Sequence, residues 1–370
     1  MKLQAVAGGQ VYATDGRRLL VDDGDWSFDE RGRLPAPHDG LLDVESRLKT
    51  GRYLKPLLAA VTGAFPTVNV WPAGGGRLVA TTDRRILASG DGGDTWRVTG
   101  RLPASSGPMG VLPPAFCAAD DGLYLGEYPL GDEPPDVLRS TDGGDSWTTA
   151  ASLPGVRHVH SVQVDPYTGA LWVTTGDADA ECQVGRLVDG TFRPVGGGDQ
   201  RWRAVELAFT PDAVLWGVDS VYEPTNPIVR LARADVGEPD PPLEVLHELS
   251  SSVYFATTLA VDGVRWVVFS TAGEPGNDST APEGARRNCS GDATVVAASA
   301  ASGFTEWHEL ARYEKRPVPA DALGGRLPRA NAYVFLGASD ERGLVTNPYN
   351  TAPDGETLRA YTPRFFAQLE

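Results

Sequence analysis

Lysine is nearly missing from this chain: Lys2, Lys49, Lys55 and Lys315 are the only four among 33 basic residues. Acidic residues outnumber basic ones 49 to 33, for a net charge of −16. Without a basic patch to release counterions, general nucleic-acid binding and adsorption to anionic membranes are disfavoured. Acidic excess with arginine in place of lysine leads us to expect a halophilic protein whose carboxylates hold the hydration layer. Cysteine is also scarce. Cys117, Cys182 and Cys289 are too few and too scattered for a disulfide framework, and no CxxC or other metal-type spacing occurs. Long apolar runs are absent too. No stretch approaches a membrane span, and Met1 to Gly9 lacks the apolar core of a signal peptide. The expectation is a cytoplasmic chain with reduced thiols.

What the chain has instead is repetition. Ser89-Gly-Asp91-Gly-Gly93-Asp-Thr95-Trp96 returns 51 residues later as Ser140-Thr-Asp142-Gly-Gly144-Asp-Ser146-Trp147. A hairpin turn explains those residue types. The aspartate bonds back to nearby amides, the glycines supply positive φ, and the tryptophan anchors the following strand. Around these turns a strand–turn–strand unit recurs, with units starting near residues 10, 77, 122, 170, 214, 265 and 332. Degenerate turns follow at Asp22 to Trp26, Asp189 to Phe192 and before Trp307. In the last unit, Ala332 to Gly337 is paired with Thr357 to Tyr361.

Both full turns resemble the Asp-box (BNR) repeat of sialidase-like β-propellers, in which the box joins the third and fourth strands of a blade. The resemblance implies an all-β propeller of four-stranded antiparallel blades, a single unit over residues 1–370. Seven units favour seven blades; six, as in sialidases, is the alternative. A short amphipathic helix is expected at 41–63 and a long loop at 273–292. The chain opens inside a blade by this count, so its two terminal strands are expected to close the ring together.

In such propellers the ligand face is the one where innermost strands begin and second strands end, opposite the boxes. Second-strand ends place Glu127, Tyr128, Asp177, Asp219 and Glu274 there. Innermost-strand starts add Arg157, His158, His160, Arg201, Arg203 and Tyr254. In a strand His158 and His160 share one side and Arg157 takes the other. Two of five histidines at the channel mouth suit a general base or a metal pair, or else hydrogen-bonded wall residues. Asp177-Ala-Asp179-Ala-Glu181 spaces three carboxylates for Ca²⁺ or Mg²⁺, although a solvated loop reads the same way; Asp177, next to the strand, is the better candidate. Arg201 and Arg203, on one side of their strand, suit a carboxylate clamp or ion pairs with Asp219 or Glu127. Glu127 and Glu274 are a candidate acid/base pair. Tyr128, Trp202 and Tyr254 are candidates for sugar stacking, with Trp202 better placed as core.

No Arg-Ile-Pro-type motif is present; the early arginines stand in Asp15-Gly-Arg17-Arg18 and Gly51-Arg52-Tyr53. Sialidase activity is therefore not expected. The leading expectation is a carbohydrate-active protein for a charged, acidic glycan, working as a hydrolase or a lyase. Arg201 and Arg203 would hold the anion, His158 or His160 would be the base, and Glu127 or Asp177 the acid or a cation ligand. A divalent cation is the one cofactor considered. The alternative is a non-catalytic scaffold with a protein partner, as in Asp-box propellers resembling photosystem assembly factors and sorting receptors.

Overall fold

The computed structural model describes residues 1–36, 68–106, 110–223, 225–274, 291–319 and 330–369. Seven antiparallel sheets follow one another along the chain, spanning 2–33, 68–101, 116–152, 158–197, 204–249, 253–315 and 333–361. They are the blades of a seven-bladed β-propeller, numbered here 1 to 7. Blades 1 to 5 are four-stranded in simple up-and-down order. Blade 6 carries Thr351–Ala352 as a fifth strand beside Trp307–Lys315, and blade 7 has three strands, Tyr333–Ser339, Gly343–Tyr349 and Arg359–Tyr361.

Position in the blade dictates what each strand must look like. Second strands such as Leu78–Thr82, Leu171–Gly176 and Ala213–Val218 are buried along their whole length, because neighbouring blades cover both their faces. They therefore read as continuous apolar runs. Outer strands such as Arg97–Arg101 and Thr148–Ser152 face solvent and carry no such signal. The core is split accordingly. Seven apolar clusters lie in the seven seams between consecutive blades, such as Trp172, Trp202 and Trp216 between blades 4 and 5.

The two repeated turns join third to fourth strands in blades 2 and 3, as expected. Asp91 Oδ1 accepts from the Thr95 amide at 3.0 Å, and Asp142 Oδ1 from the Asp145 and Ser146 amides at 3.0 and 2.9 Å. Gly93 and Gly144 have φ of +103° and +93°. A side chain at Gly144 would also meet Val79 of the preceding blade, 2.9 Å away, so the turn is docked on its neighbour through glycine.

Two expectations need correction. The terminal strands do not share a blade: blade 1 is complete within residues 2–33 and blade 7 within 333–361. In the last unit, Tyr333–Ser339 is the innermost strand rather than the second. Its partner is Gly343–Tyr349, which in turn pairs Arg359–Tyr361. An innermost strand lined by seam contacts is as apolar as a second strand, which is why the two read alike. The helix expected at 41–63, most of the loop at 273–292, and Cys289 lie outside the described residues. Cys117 and Cys182 are free thiols.

Candidate functional site

The rim where innermost strands begin repeats one feature. In blades 3, 4, 5 and 6 the residue just after the second strand, or close to it, is acidic: Glu127, Asp177, Asp219 and Glu274. Several innermost strands carry bulges near this end, at His160 in blade 4, Val205 and Glu206 in blade 5 and Tyr254 in blade 6. A bulge re-aims a side chain out of strict alternation, and it does so here at the channel mouth.

Asp177 is the centre of the arrangement. Its Oδ1 takes Arg203 Nη2 at 2.9 Å and stands 4.0 Å from His160 Nε2. Its Oδ2 takes Arg157 Nη1 at 3.1 Å and stands 3.3 Å from His158 Nε2. His158 and His160 are almost fully buried, at 1 % and 2 % exposure, whereas the Asp177 side chain keeps 24 % and opens the cluster to solvent. Tyr128 stacks on His158 with ring centroids 3.7 Å apart and planes 17° from parallel. His160 Nδ1 sits 3.1 Å from the carbonyl of Ala204 in blade 5. Gly176 makes room for this packing, since a Cβ there would lie 2.7 Å from His160 Cε1 and 3.1 Å from Arg203 Cγ.

The charges are arranged in a chain along the rim. Arg203 Nε lies 3.4 Å from Asp219 Oδ2, and Asp219 is hydrogen-bonded to Ser252. Ser252 Oγ donates to Glu274 Oε2 at 3.3 Å, and Asn331 Nδ2 to Glu274 Oε1 at 3.4 Å. Two carboxylates thus share one guanidinium, and their environments push them apart. Burial alone would raise the Asp177 carboxyl, but the neighbouring His158 and the Arg203 charge hold it well below the usual range. Burial dominates at Asp219 and raises its carboxyl despite Arg203. Burial, then the charges of His158 and Arg203, push the His160 imidazole down to about 3, so it is neutral at physiological pH.

His158, His160, Arg157, Arg203, Asp177 and Tyr128 therefore come together, with Asp219, Tyr254 and Glu274 continuing the rim. Two readings from the sequence do not hold in this geometry. Arg157 shares the carboxylate of the two histidines, because the strand begins at His158 and its alternation does not reach back to 157. Arg201 lies in a short 3-10 turn, Gln200–Trp202, not on the strand with Arg203. Its guanidinium is exposed and held by Asp199 Oδ2 at 2.8 Å, so the two arginines form no clamp. Of the three spaced carboxylates only Asp177 joins the cluster, as the loop reading of the other two has it: Gln200 Nε2 donates to Asp179 at 2.7 Å and the Ala178 amide to Glu181 at 2.9 Å. Trp202 is core, 3 % exposed.

Glu127 stands apart from the cluster. Its Oε2 accepts the Asp136 amide at 3.1 Å, and burial raises the carboxyl to about 7. No described contact joins it to Glu274, three blades away. Two residues were not anticipated. Tyr333 begins the innermost strand of blade 7 and packs edge-on against Tyr254 with centroids 5.0 Å apart. Glu206 projects from the bulge of blade 5, where burial raises its carboxyl to about 8. A single acidic residue in the apolar strand Ala204–Phe209 was the one signal available for it.

No family model matches the chain, and no curated protein matches it. Among solved structures it is similar to a chain in a mitotic checkpoint complex. There the TM-score is 0.54 at 11 % identity, covering 98 % of this chain and 88 % of that one. It is also similar to an ancestral GH74 enzyme, with a TM-score of 0.51 at 10 % identity over 97 % of this chain. It spans 46 % of that enzyme's chain. At such identities the likeness is one of fold.

Proposed function

We propose that the rim of blades 3 to 6 binds an acidic glycan and acts on it, with the Asp177 cluster as its centre. The observation that carries this reading is the convergence of two buried imidazoles and two guanidiniums on one solvent-reachable carboxylate, beside a tyrosine ring. In this reading Arg157, half exposed and held by one contact, turns from Asp177 to a sugar carboxylate, while Arg203 is locked between Asp177 and Asp219 and sets the geometry. His158, buried and backed by Asp177, is the base when its Nε2 is not taken by a cation. Asp219, with its raised carboxyl, is the proton donor. Hydrolysis and β-elimination both need this pairing of base and acid. The resemblance of the turns to the Asp-box and a GH74 enzyme among the fold neighbours fit a carbohydrate-active propeller.

A second reading, a protein-binding scaffold, is favoured by one observation: most charges in the cluster already have an internal partner. A thermal-shift screen against acidic and neutral oligosaccharides separates the two, since a ligand that binds only the folded chain raises its Tm. The expected result is a shift with uronate-type sugars, lost in Arg157→Ala. No shift with any sugar rejects the glycan reading and directs the search to a protein partner.

A further inference from the structure

The imidazoles of His158 and His160 present a problem of hydrogen-bond bookkeeping that the protein alone does not solve. A carbonyl can only accept, so the contact of His160 Nδ1 with Ala204 O places a proton on Nδ1 and leaves Nε2 as the nitrogen able to ligate. Nε2 faces a carboxylate oxygen, Asp177 Oδ1, 4.0 Å away, too far for a hydrogen bond. A gap of that width is within what an ion bound by both atoms would span. His158 repeats the situation. Its Nε2 is 3.3 Å from Asp177 Oδ2 without hydrogen-bond alignment, and neither of its ring nitrogens has a hydrogen-bond partner, although the side chain is 98 % buried. Buried polar atoms left without partners are rare and need a reason.

We propose that His158, His160 and Asp177 bind a first-row divalent transition metal. The three ligand atoms lie within 4.8 Å of one another, the only such group among the described residues. Two imidazole nitrogens and one carboxylate are the donor set of zinc, manganese, iron or cobalt, and nitrogen ligands argue against Ca²⁺ and Mg²⁺, which take oxygen. The Ala204 carbonyl on His160 is the kind of outer partner that fixes a ligating histidine's tautomer, and the Tyr128 ring fixes the plane of His158. Three protein ligands leave coordination positions on the solvent side, where Asp177 is exposed. Arg203 is offset by Asp219, and Arg157 is half exposed on the solvent side, so the neighbouring cations leave room for the ion. With both arginines nearby, the bound metal gives the site a net attraction for an anionic fourth ligand. That deepens the glycan reading, on which only this last step rests.

The test is calorimetric titration of chelator-treated full-length protein with ZnCl2, MgCl2 and CaCl2, together with the visible spectrum after CoCl2. The expected outcome is one Zn²⁺ per chain, no saturable Mg²⁺ or Ca²⁺ binding, and a ligand-field band with cobalt. His160→Gln and His158→Gln should each weaken zinc binding by 100-fold or more on the order expected for lost ligands, while His308→Gln, outside the cluster, should bind as the parent does. Circular dichroism of each variant guards against misfolding, and Asp177→Asn serves if a histidine variant fails to fold. Absence of saturable zinc binding, or zinc binding unchanged in the cluster variants, overturns the proposal. Sugar shifts that persist in chelator would overturn the metal's pull on the anionic ligand while leaving the glycan site standing. One zinc per chain with no sugar shift would do the reverse.

Discussion

Glu206 shows how one atom's worth of chemistry can sit in a repeated device. In blade 1, Gln4 accepts the Val70 amide at 3.0 Å and donates to the Val68 carbonyl at 3.2 Å, tying its strand to blade 2. In blade 4, Gln163 does the same to Leu207 of blade 5, at 2.8 and 3.0 Å. Glu206 accepts the Ala256 amide of blade 6 at 2.8 Å and so stands where a glutamine stands elsewhere. A protonated carboxyl mimics the amide, which matches the rise of its pKa from 4.5 to about 8 by burial. The unfolded chain ionises above 4.5 while the folded one resists until about 8. The stability that Glu206 contributes is therefore full below 4.5 and is lost as pH rises through 8. Glu206→Gln should raise stability at pH 8 by roughly 2 kcal/mol, less than the full shift implies because the residue keeps some solvent contact, and leave it little changed at pH 4.5. Urea unfolding at both pH values measures this; a loss at pH 8 would mean that the ionised carboxylate is what the fold needs.

At the scale of the element, the repeated turn and the bulged strand do opposite jobs. The turn is rigid and remote from the rim. The hydroxyl of Ser146, then that of Ser140, hold the Asp142 carboxyl at about 2, and Thr95 leads the same effect at Asp91. These carboxyls are depressed from 3.8, so their contribution is present above that value and fades as pH falls through 2. Asp142→Ala should lower the Tm and shift the acid-unfolding curve, yet leave any sugar or metal affinity as it was. An affinity loss with an unchanged Tm would place function on the wrong face. The bulged strand start, by contrast, is built for aim. At Gly176 an added methyl would push on both His160 and Arg203, and Gly176→Ala should cost about 1–3 kcal/mol of stability by overpacking. It should also weaken metal binding, read by the same calorimetry. Loss of stability without loss of binding would detach the glycine from the site.

For the whole molecule the question is how the ring closes when no strand is shared. Blade 1 meets blade 7 through side chains. The Leu3 amide donates to Asn347 Oδ1 at 2.9 Å, Leu3 and Val11 pack on Phe335 and Val345, and buried Asp22 pairs with Arg342. Arg342 also lies over the Trp26 ring, 4.4 Å from its centroid. Removing one partner of a buried pair strands the other charge, so Arg342→Ala should cost about 3 kcal/mol. The loss should be local before it is global. Hydrogen exchange should quicken first in Lys2–Ala7 and Tyr333–Ser339, the innermost strands either side of this seam. A uniform rise across all seven blades would show that the closure is no weaker than any other seam.

The sequence by itself determined the fold. Second strands covered on both faces must be apolar along their length, so seven of the strand pairs could be counted, and a turn built on Asp91 or Asp142 needs no partner beyond its own loop. It also placed Glu127, Asp177, Asp219 and Glu274 on one rim, because topology alone sets where a second strand ends. Alternation along a strand was its only guide to side-chain direction, and that guide failed where the backbone leaves the regular strand: Arg157 lies before it, and Arg201 lies in a 3-10 turn. Which of the four acids gathers histidines and arginines depended on the approach of blade 5 to blade 4 across Gly176. The seventh blade's order and the neutral role of Glu206 depended on neighbours hundreds or dozens of residues away. Those are contacts between blades, and only the closed ring brings them into being.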